Sequence, residues 1–482
     1  MTMPSSHRPL RWLAAFLLIF PLLGRAADPP EPVKPSRPNI LWIVAEDLGC
    51  DMGAYGTAGV HTPHLNALAA DGALFTRAYT TAPVCSPSRS SFMTGLNPHQ
   101  VFSKNMRIRE PLEKQPLPDG VKVFTEHLRA AGYAVGLCNQ QKRDWGFIEP
   151  ETSPYDTADW DQLTKKTPFF CQYQFYDTHR VNEKGPDGKL RPFLPCPEHP
   201  VDRQMVKLPP DTPDTPEARE ELAAYLENLN LLDMKVGALL ADLKARGLYE
   251  STLIVFMGDN GPPLFRGKGF LHERGIRMPL IVRMPAACKP TYSPGARIHE
   301  LVSALDLAPT FIHLAGGKAP AHLEGRIFLG PGRQPAPSHL FAMRDRIDDH
   351  VDRIRSVCSQ QFKYIRNFLP EKPCFEVAHN NVAASTSGRA LFEQGKLSGS
   401  QAAYYQPKPN EELYDLENDP FELTNLAADP RHRETLATHR AQLDRWMQRT
   451  RDDGQFEDPE QLKEMDRRWA EFVKKRRPKA QD

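Results

Sequence analysis

The sequence has no excess of charge of either sign. Its 482 residues include 61 Lys and Arg and 60 Asp and Glu, which gives a formal net charge of +1 at pH 7. This balance gives no reason to expect a nucleic-acid partner or a permanently bound membrane surface. Any anionic partner must therefore be held by a local group of basic side chains.

The N-terminal region lacks an apolar run long enough to cross a bilayer. The run over residues 12–23 is too short for a transmembrane helix. It follows Arg8 and Arg11 and precedes small residues, so the sequence predicts a signal peptide over residues 1–27. An uncleaved membrane anchor is the alternative interpretation. A proline-rich linker over residues 28–37 follows in both cases, and the protein is expected to be exported, periplasmic or secreted, with no stable membrane span after signal cleavage.

Closely spaced cysteine pairs are also absent. The eight cysteines are scattered, so they do not indicate the framework of a small disulfide-rich domain. Cys138 and Cys171 lie in apolar runs and are predicted to be inert core thiols. One or two disulfides among the others remain open. Cys85 does not lie in an apolar run, because its neighbours in the sequence are polar residues and residues that favour the start of a helix.

What the sequence does have is a regular alternation of apolar runs and helical patterns. The predicted strands cover residues 40–45, 73–79, 134–138, 169–175, 252–257 and 280–282. The longest predicted helix begins at Thr215-Pro216 and ends near Gly247. This alternation predicts a three-layer α/β domain with a central, mostly parallel sheet over residues 38–330, with its site along the C-terminal edge of the strands.

The remainder of the chain has a different pattern. Residues 331–337 are rich in Pro and Gly and are predicted to form a linker. Short strand candidates followed by helical patterns then predict a smaller C-terminal α+β domain with a helical tail over residues 338–482. The sequence shows no internal repeat.

Two pairs of oxygen-bearing side chains directly follow predicted buried strands. Glu46 and Asp47 come after the strand 40–45, and Asp259 and Asn260 after the strand 252–257. Hard oxygen donors suit calcium or magnesium better than zinc. Either pair alone is a common turn at the end of a strand. Together they predict a metal site if the two strands are neighbours.

Cys85 lies at the predicted start of a helix. Ser86 is a good N-cap, Pro87 fits the first helical position, and Gly95 is a suitable end. A thiol directly before such a helix faces the positive end of the helix dipole and its free amides. An ordinary capped helix would explain Ser86-Pro87, but it would not explain the spacing Cys-x-Pro-x-Arg.

The segment Cys85-Ser86-Pro87-Ser88-Arg89, followed by Met93-Thr94-Gly95, resembles the signature of the type I sulfatase family of the alkaline-phosphatase-like superfamily. The resemblance extends from residues 37–41 to residues 412–420, nearly all of the chain after the signal peptide. It implies an alkaline-phosphatase-like fold and a sulfuric ester hydrolase.

The resemblance also implies how the reaction begins. Cys85 would be oxidised to formylglycine by a separate formylglycine-generating maturation enzyme. The hydrated aldehyde would attack sulfur, become sulfated and then expel sulfate, because one oxygen of a geminal diol can attack while deprotonation of the other drives release. Arg89, one helical turn on, would orient the diol.

Further residues match family positions. Glu46, Asp47, Asp259 and Asn260 would hold one Ca²⁺, although the family more often has Asp at the position of Glu46.

Four other positions match residues that contact the substrate. Lys268 and Lys142 match lysines that bind sulfate, and His179 matches a histidine near the leaving-group oxygen. Taken without the motif, Lys268 is an exposed loop lysine and His179 a satisfied loop histidine. Asp144 stands where many relatives have the histidine base, and a carboxylate can do that work if its pKa is raised toward neutrality.

The resemblance predicts hydrolysis of a sulfate ester or sulfamate on a sulfated sugar or polysaccharide. Residues 51–56 and 62–65 resemble the heparan N-sulfatase branch. A phosphomonoester or phosphonate hydrolase on the same scaffold is one alternative, and a non-catalytic protein that binds sulfated glycans is another. The charged group at residues 344–349 would either contact substrate or form a surface ion-pair cluster.

Overall fold

The structure is a computed structural model, and the part of the chain that it describes comprises residues 37–106, 114–181, 183–184, 190–193, 195–348, 350–377, 382–453 and 459–476. The predicted signal peptide and all but the last residue of the predicted linker lie outside these ranges. In the described ranges, no helix combines the length and the apolar character that a membrane crossing needs.

In the described part of residues 38–330, strands and helices alternate, as the apolar pattern predicts. The strands are β1 Asn39–Ala45, β2 Ala73–Tyr79, β3 Ala134–Asn139, β4 Phe169–Phe175, β5 Glu183–Lys184, β6 Leu190–Arg191, β7 Thr252–Gly258, β8 Arg277–Arg283, β9 Ala296–Ile298, β10 Val302–Ser303, β11 Leu340–Arg344, β12 Ile354–Cys358, β13 Phe362–Asn367 and β14 Glu411–Asp415. The helices are α1 Pro63–Asp71, α2 Cys85–Thr94, α3 Phe124–Ala130, α4 Trp160–Leu163, α5 Pro216–Ala245, α6 Glu273–Ile276, α7 Leu307–Leu314, α8 Ala383–Glu393, α9 Gly399–Ala403, α10 Arg433–Thr450 and α11 Pro459–Arg476.

The larger sheet has the strand order β10-β2-β8-β7-β1-β4-β3, with β9 paired to β2. Its pairs are parallel except for the two that β8 makes, with β2 and β7. Ala45 at the end of β1 is in register with Gly258 of β7 and with Phe175 of β4. Because three neighbouring parallel strands end together, the residues that follow them meet at one edge of the sheet.

Helices cover both faces of this sheet, which confirms the predicted three-layer architecture. Side chains of β1 alternate between two buried clusters: Ile40, Trp42 and Val44 face one, and Leu41, Ile43 and Ala45 face the other. The first cluster includes residues of α3 and α7, and the second includes residues of α1 and α5. A strand buried on both faces therefore has the continuous apolar sequence seen at residues 40–45.

The smaller sheet is antiparallel, in the order β11-β12-β13-β14. One face packs against α10 through Leu443 and Trp446, and the other packs against Leu271 and Ile276 from the segment before β8. Contacts of this kind make residues 36–482 one compact unit. The predicted division near residues 330–338 stays a prediction.

Candidate active site

The four oxygen-bearing residues predicted from the strand ends lie together. Asp47 donates its backbone N–H to Asp259 Oδ1 at 2.9 Å, and Asn260 donates its side-chain Nδ2 to Asp47 Oδ1 at 2.9 Å. Glu46, Asp47, Asp259 and Asn260 are each at most 1% exposed. The register of β1 and β7 brings them together, although more than two hundred residues separate the two pairs in the chain.

Three cationic side chains neutralise these carboxylates. Arg89 donates from Nε to Asp259 Oδ2 at 2.9 Å and from its second terminal nitrogen to Glu46 Oε2 at 2.6 Å. Lys142 donates to Glu46 Oε1. Lys268 Nζ lies 2.7 Å from Asp47 Oδ1. Each buried negative charge is thus paired, which the low polarity of the surroundings requires.

The charges in this cluster shift the pKa of its carboxyl groups in opposite directions. Burial opposes ionisation of Glu46, but Lys142 and Arg89 outweigh it and hold the pKa of Glu46 well below its usual range. Burial and the neighbouring charge of Glu46 raise the pKa of Asp259, against the attraction of Arg89. A cation bound beside Asp259 would stabilise its ionised form.

The residues present fit a hard divalent cation. Ligand atoms of Glu46, Asp47 and His179 lie within 4.8 Å of one another. The side-chain oxygen of Asn260 is buried and has no hydrogen-bond partner among the described residues. Buried amide oxygens are rarely left unpaired, so this atom is available as a ligand beside the carboxylates. The structure thus contains a candidate metal site at the predicted edge.

Helix α2 positions Cys85, but it does not begin as predicted. Val84 is the residue before the helix, its backbone is extended, and its carbonyl accepts from Ser88 N at 3.2 Å. Cys85 is therefore the first helical residue, and Ser86 does not cap the helix, because the helix begins two residues earlier than predicted. Gly95 ends the helix with φ of 70°, as predicted. The thiol keeps its place in the first turn.

Cys85 is itself a poor nucleophile as a thiol. Burial raises its pKa well above the usual value, although the charges of Lys142 and Lys268 act in the opposite direction. Since the thiolate is the reactive form, an unmodified Cys85 would react slowly at neutral pH. Ser88 and Arg89 fix α2 against the end of β7, through Ser88 Oγ donating to Asp259 O at 2.6 Å and through the Arg89 bond to Asp259.

Lys142, Asp144 and His179 form the open side of the site. Lys142 Nζ lies 3.3 Å from Asp144 Oδ2, and the two side chains are 13% and 35% exposed. His179 Nε2 lies 3.8 Å from Asp47 Oδ2 and is part of a side chain that is 32% exposed. Burial lowers the pKa of His179. All ten predicted site residues therefore lie in or directly around one cluster.

Two residues of the site were not predicted. Gln174 accepts a bond from Arg89 at Oε1 and donates from Nε2 to Lys142 O at 2.5 Å, so it links α2 to the loop after β3. Tyr176 places its ring 5.2 Å from Lys142 Nζ. A polar residue near the end of the apolar run 169–175 was a signal for Gln174, whereas Tyr176 had no distinguishing pattern.

The structure answers two questions that the sequence left open: whether disulfides form, and what the charged group near residue 344 does. All eight cysteines lie in described ranges and are free, so no disulfide forms. The charged group near residue 344 is neither a surface cluster nor a substrate contact through Arg344 and Asp345. Arg344 donates to the carbonyl oxygens of Gly269 and Val377, and Asp345 pairs with Arg355 at 3.1 Å. Residue 349 lies outside the described residues.

The fold and the site together define an alkaline-phosphatase-like hydrolase. The sequence model of the sulfatase family matches residues 38–150 and 155–317, and a model described as "N-sulphoglucosamine sulphohydrolase, C-terminal" matches residues 263–378. The chain belongs to the sulfatase family, and it is a sulfuric ester hydrolase.

Two relatives match over most of their length. An "Ulvan-active sulfatase" from Formosa agariphila is 32% identical over 474 residues, covering 89% of this chain and 78% of the relative. Human "N-sulphoglucosamine sulphohydrolase" is 29% identical over 473 residues, covering 86% of this chain and 91% of the relative.

Solved structures support the fold alone, because their sequences are more distant. A 2-O GAG sulfatase is 21% identical, with a TM-score of 0.61, covering 86% of this chain and 93% of its own. A phosphonate monoester hydrolase from Silicibacter pomeroyi is 19% identical, with a TM-score of 0.62; the match covers 86% of this chain and 96% of the hydrolase. The fold therefore does not separate sulfatases from phosphonate hydrolases.

Proposed function

We propose that this protein hydrolyses a sulfate ester or sulfamate on a sulfated sugar, using a formylglycine formed from Cys85 and one Ca²⁺ held by Glu46, Asp47, Asp259 and Asn260. The observation that carries the proposal is the meeting of Cys85, three buried carboxylates and three cationic side chains at one sheet edge. Neither a disulfide nor an ordinary core explains that combination.

The metal assignment depends on the chemistry of the donors. Glu46, Asp47 and Asp259 offer carboxylate oxygens, and Asn260 offers an unpaired amide oxygen. Calcium accepts such oxygen sets with flexible geometry, so the longer side chain of Glu46 is compatible with it. When bound, the ion supplies positive charge that polarises a sulfate oxygen and lowers the pKa of a nearby hydroxyl.

The nucleophile assignment follows from the state of Cys85. Its buried thiol has a raised pKa and is unsuited to attack at neutral pH. Conversion to formylglycine would supply a hydrated aldehyde, one oxygen of which attacks sulfur while the other allows sulfate to be expelled. Arg89, fixed by two carboxylates, holds the helix and its first residue in place.

Lys142 and Lys268 both lie near enough to Cys85 for their charges to act on its side chain, and His179 lies beside Asp47. The two ammonium groups attract the sulfate group of a substrate and reduce the cost of charge that develops during bond breaking. Both are already held by carboxylates, so they need little reorganisation. His179, whose side chain is 32% exposed and whose Nε2 lies 3.8 Å from Asp47 Oδ2, would contact the leaving oxygen of a bound substrate.

Relatives that act on sulfated sugars support the substrate class. The two relatives are an ulvan-active sulfatase and an N-sulphoglucosamine sulphohydrolase. The C-terminal match to the second of these favours, in this chain too, an amino sugar that carries an N-sulfate. We also propose that the chain is exported and that it requires a formylglycine-generating enzyme of its host.

The test uses the full chain produced with and without a formylglycine-generating enzyme. Maturation should lower the mass of the Cys85 peptide by about 18 Da, the difference between thiol and aldehyde side chains. Only the matured protein should release sulfate from N-sulfoglucosamine and from ulvan oligosaccharides. EGTA should abolish release, and Ca²⁺ should restore it. Equal release by a Cys85→Ala variant would contradict the proposal, and faster cleavage of an aryl phosphonate than of an aryl sulfate would favour the phosphonate hydrolase.

A further inference from the structure

A cleft of about 520 Å³ lies between the edge of the larger sheet and α5. Its sheet side includes Trp160, Tyr173 and Tyr176, and its helix side includes Lys235 and Ala238. The volume is within the range of sites that hold small ligands or one or two sugar units. None of the ten residues assigned to the catalytic centre and the metal site lines it.

The cleft adjoins the catalytic centre at Tyr176. The ring of Tyr176 lines the cleft, and it lies 5.2 Å from Lys142 Nζ and 6.0 Å from the ring of His179. Asn139 and Gln140, which also line the cleft, directly precede the loop that carries Lys142. A substrate whose sulfate group meets Lys142 therefore has the cleft beside it.

The walls of the cleft suit a sugar ring. The rings of Trp160 and Tyr173 are in edge-to-face contact, with 5.7 Å between their centroids. Both side chains are half-buried, so part of their aromatic surface is open to a ligand. The hydroxyl groups of Tyr173 and Tyr176 have no hydrogen-bond partner within the described ranges. Aromatic surface binds the C–H face of a sugar, and free hydroxyl groups can bond to its hydroxyl groups.

The charges in the cleft argue against a second sulfate group there. Lys235 pairs with Asp177, and Arg246 pairs with Asp242 at 2.7 Å and also with Asp161. Because these cations are already neutralised by carboxylates, the cleft offers no surplus positive charge.

We propose that this cleft binds an unsulfated sugar unit linked to the sulfated one, so that the preferred substrate is an oligosaccharide and not a free monosaccharide. The inference rests on the proposed function and adds a binding subsite to it. The subsite lies between the aromatic surface of Trp160, Tyr173 and Tyr176 and the exposed face of α5 at Ala238.

The variant Ala238→Trp tests the subsite by filling it. Ala238 is exposed on α5, so the substitution removes no packing. Ala241→Trp is the matched control, because Ala241 is exposed three residues further along the same helix and does not line the cleft. With a sulfated tetrasaccharide from ulvan or one with terminal N-sulfoglucosamine, Ala238→Trp should lower kcat/KM about tenfold through KM. With 4-nitrophenyl sulfate, both variants should match the parent.

Binding separates failure of this inference from failure of the proposed function. In a Cys85→Ala background with Ca²⁺, calorimetry with the same tetrasaccharides and their desulfated forms requires no turnover. Both forms should bind, and Ala238→Trp should weaken both. Unchanged binding and unchanged KM in Ala238→Trp, or no binding of any tetrasaccharide, would overturn the subsite. Absence of sulfate release from all substrates, with binding still weakened by Ala238→Trp, would instead count against the proposed function.

Discussion

At the scale of single residues, Asp144 has a backbone that restricts which side chains can replace it. Its φ is 49°, in the left-handed region, which Asp, Asn and His enter more readily than other side chains. Asp144 Oδ2 also lies 3.3 Å from Lys142 Nζ, beside the cluster that contains Cys85. The backbone at this position is compatible with Asp and with the histidine that the resemblance implies for many relatives.

If Asp144 is the base, Asp144→Asn should lower kcat by about 10²- to 10⁴-fold with little change in KM, because the variant keeps the shape of the side chain and loses its carboxylate. Asp144→His should recover much of the loss. Steady-state kinetics on an aryl sulfate with the matured protein measure both effects. Glu149→Gln, an exposed change in the same loop that pairs with Arg143, serves as the control. Normal turnover in Asp144→Asn would move the role of base to His179.

The sequence showed Asp144 as a departure from the family, but it could not show what surrounds it. Arg344 and Asp345 illustrate the same limit, since alternating charges in a sequence normally indicate a solvated surface. Here the strand that carries Arg344 is buried between two layers, and the arginine bonds to backbone carbonyls. Residues distant in the chain decide whether such charges are exposed.

At the scale of secondary-structure elements, the end of β7 determines the shape of the candidate metal site. Gly258 is the last residue of β7, and a Cβ atom there would lie 2.3 Å from Leu48 O. A backbone oxygen cannot move aside easily, so any larger residue must push β1 and β7 apart. The glycine therefore permits the close approach that brings Asp47 to Asp259.

We expect Gly258→Ala to weaken Ca²⁺ binding about tenfold or more and to lower the free energy of unfolding by about 1–3 kcal/mol, the usual cost of overpacking. Calorimetric titration with Ca²⁺ and urea unfolding measure the two effects. Gly247→Ala is the control: its φ is 69° and no atom lies within 4 Å of the added carbon. It should cost about 1–2 kcal/mol through backbone strain alone and leave Ca²⁺ affinity unchanged. Equal Ca²⁺ affinity in both variants would show that the site tolerates the displacement.

Element boundaries were predicted well where local chemistry defines them. Thr215 caps α5 by accepting from Ala218 N at 3.1 Å, and Pro216 is its first residue, as predicted. The predicted start of helix α2 was two residues too late, because the helix begins after Val84, whose backbone is extended and whose side chain makes no capping hydrogen bond. Packing thus overrode the local preference of Ser86.

At the scale of the whole molecule, buried polar contacts join the smaller sheet to the larger one. Glu412 of β14 accepts from Tyr414 at 2.6 Å and from Asn367 at 2.6 Å, and its Oε2 lies 3.3 Å from His272 Nε2 in the segment before β8. Burial opposes ionisation of Glu412, but the bonds from His272, Tyr414 and Asn367 lower its pKa to about 2. The ionised carboxylate therefore stabilises the junction.

Glu412 should make stability depend on pH in the acid range. Its pKa falls from an ordinary value of 4.5 to about 2 on folding, so its stabilisation is present above about pH 4.5 and is lost as the pH falls toward 2. The full effect is on the order of 3 kcal/mol. Urea unfolding at several pH values should show a flatter acid dependence for Glu412→Gln than for the parent. The exposed change Glu417→Gln should leave the dependence unaltered, and a parent-like profile in Glu412→Gln would assign the acid response to other groups.

By itself, the sequence determined the family, the alternation of strands and helices, and the identity of the residues that gather at the sheet edge. These features are readable because hydrophobic periodicity, helix caps and the motif around Cys85 are local. Only the tertiary structure decided that Arg89, Lys142 and Lys268 pair with particular carboxylates, that Gln174 links two of these elements, and that an aromatic cleft adjoins the site. The physical reason is that such contacts join residues far apart in the chain, and the register of parallel strands brings them together.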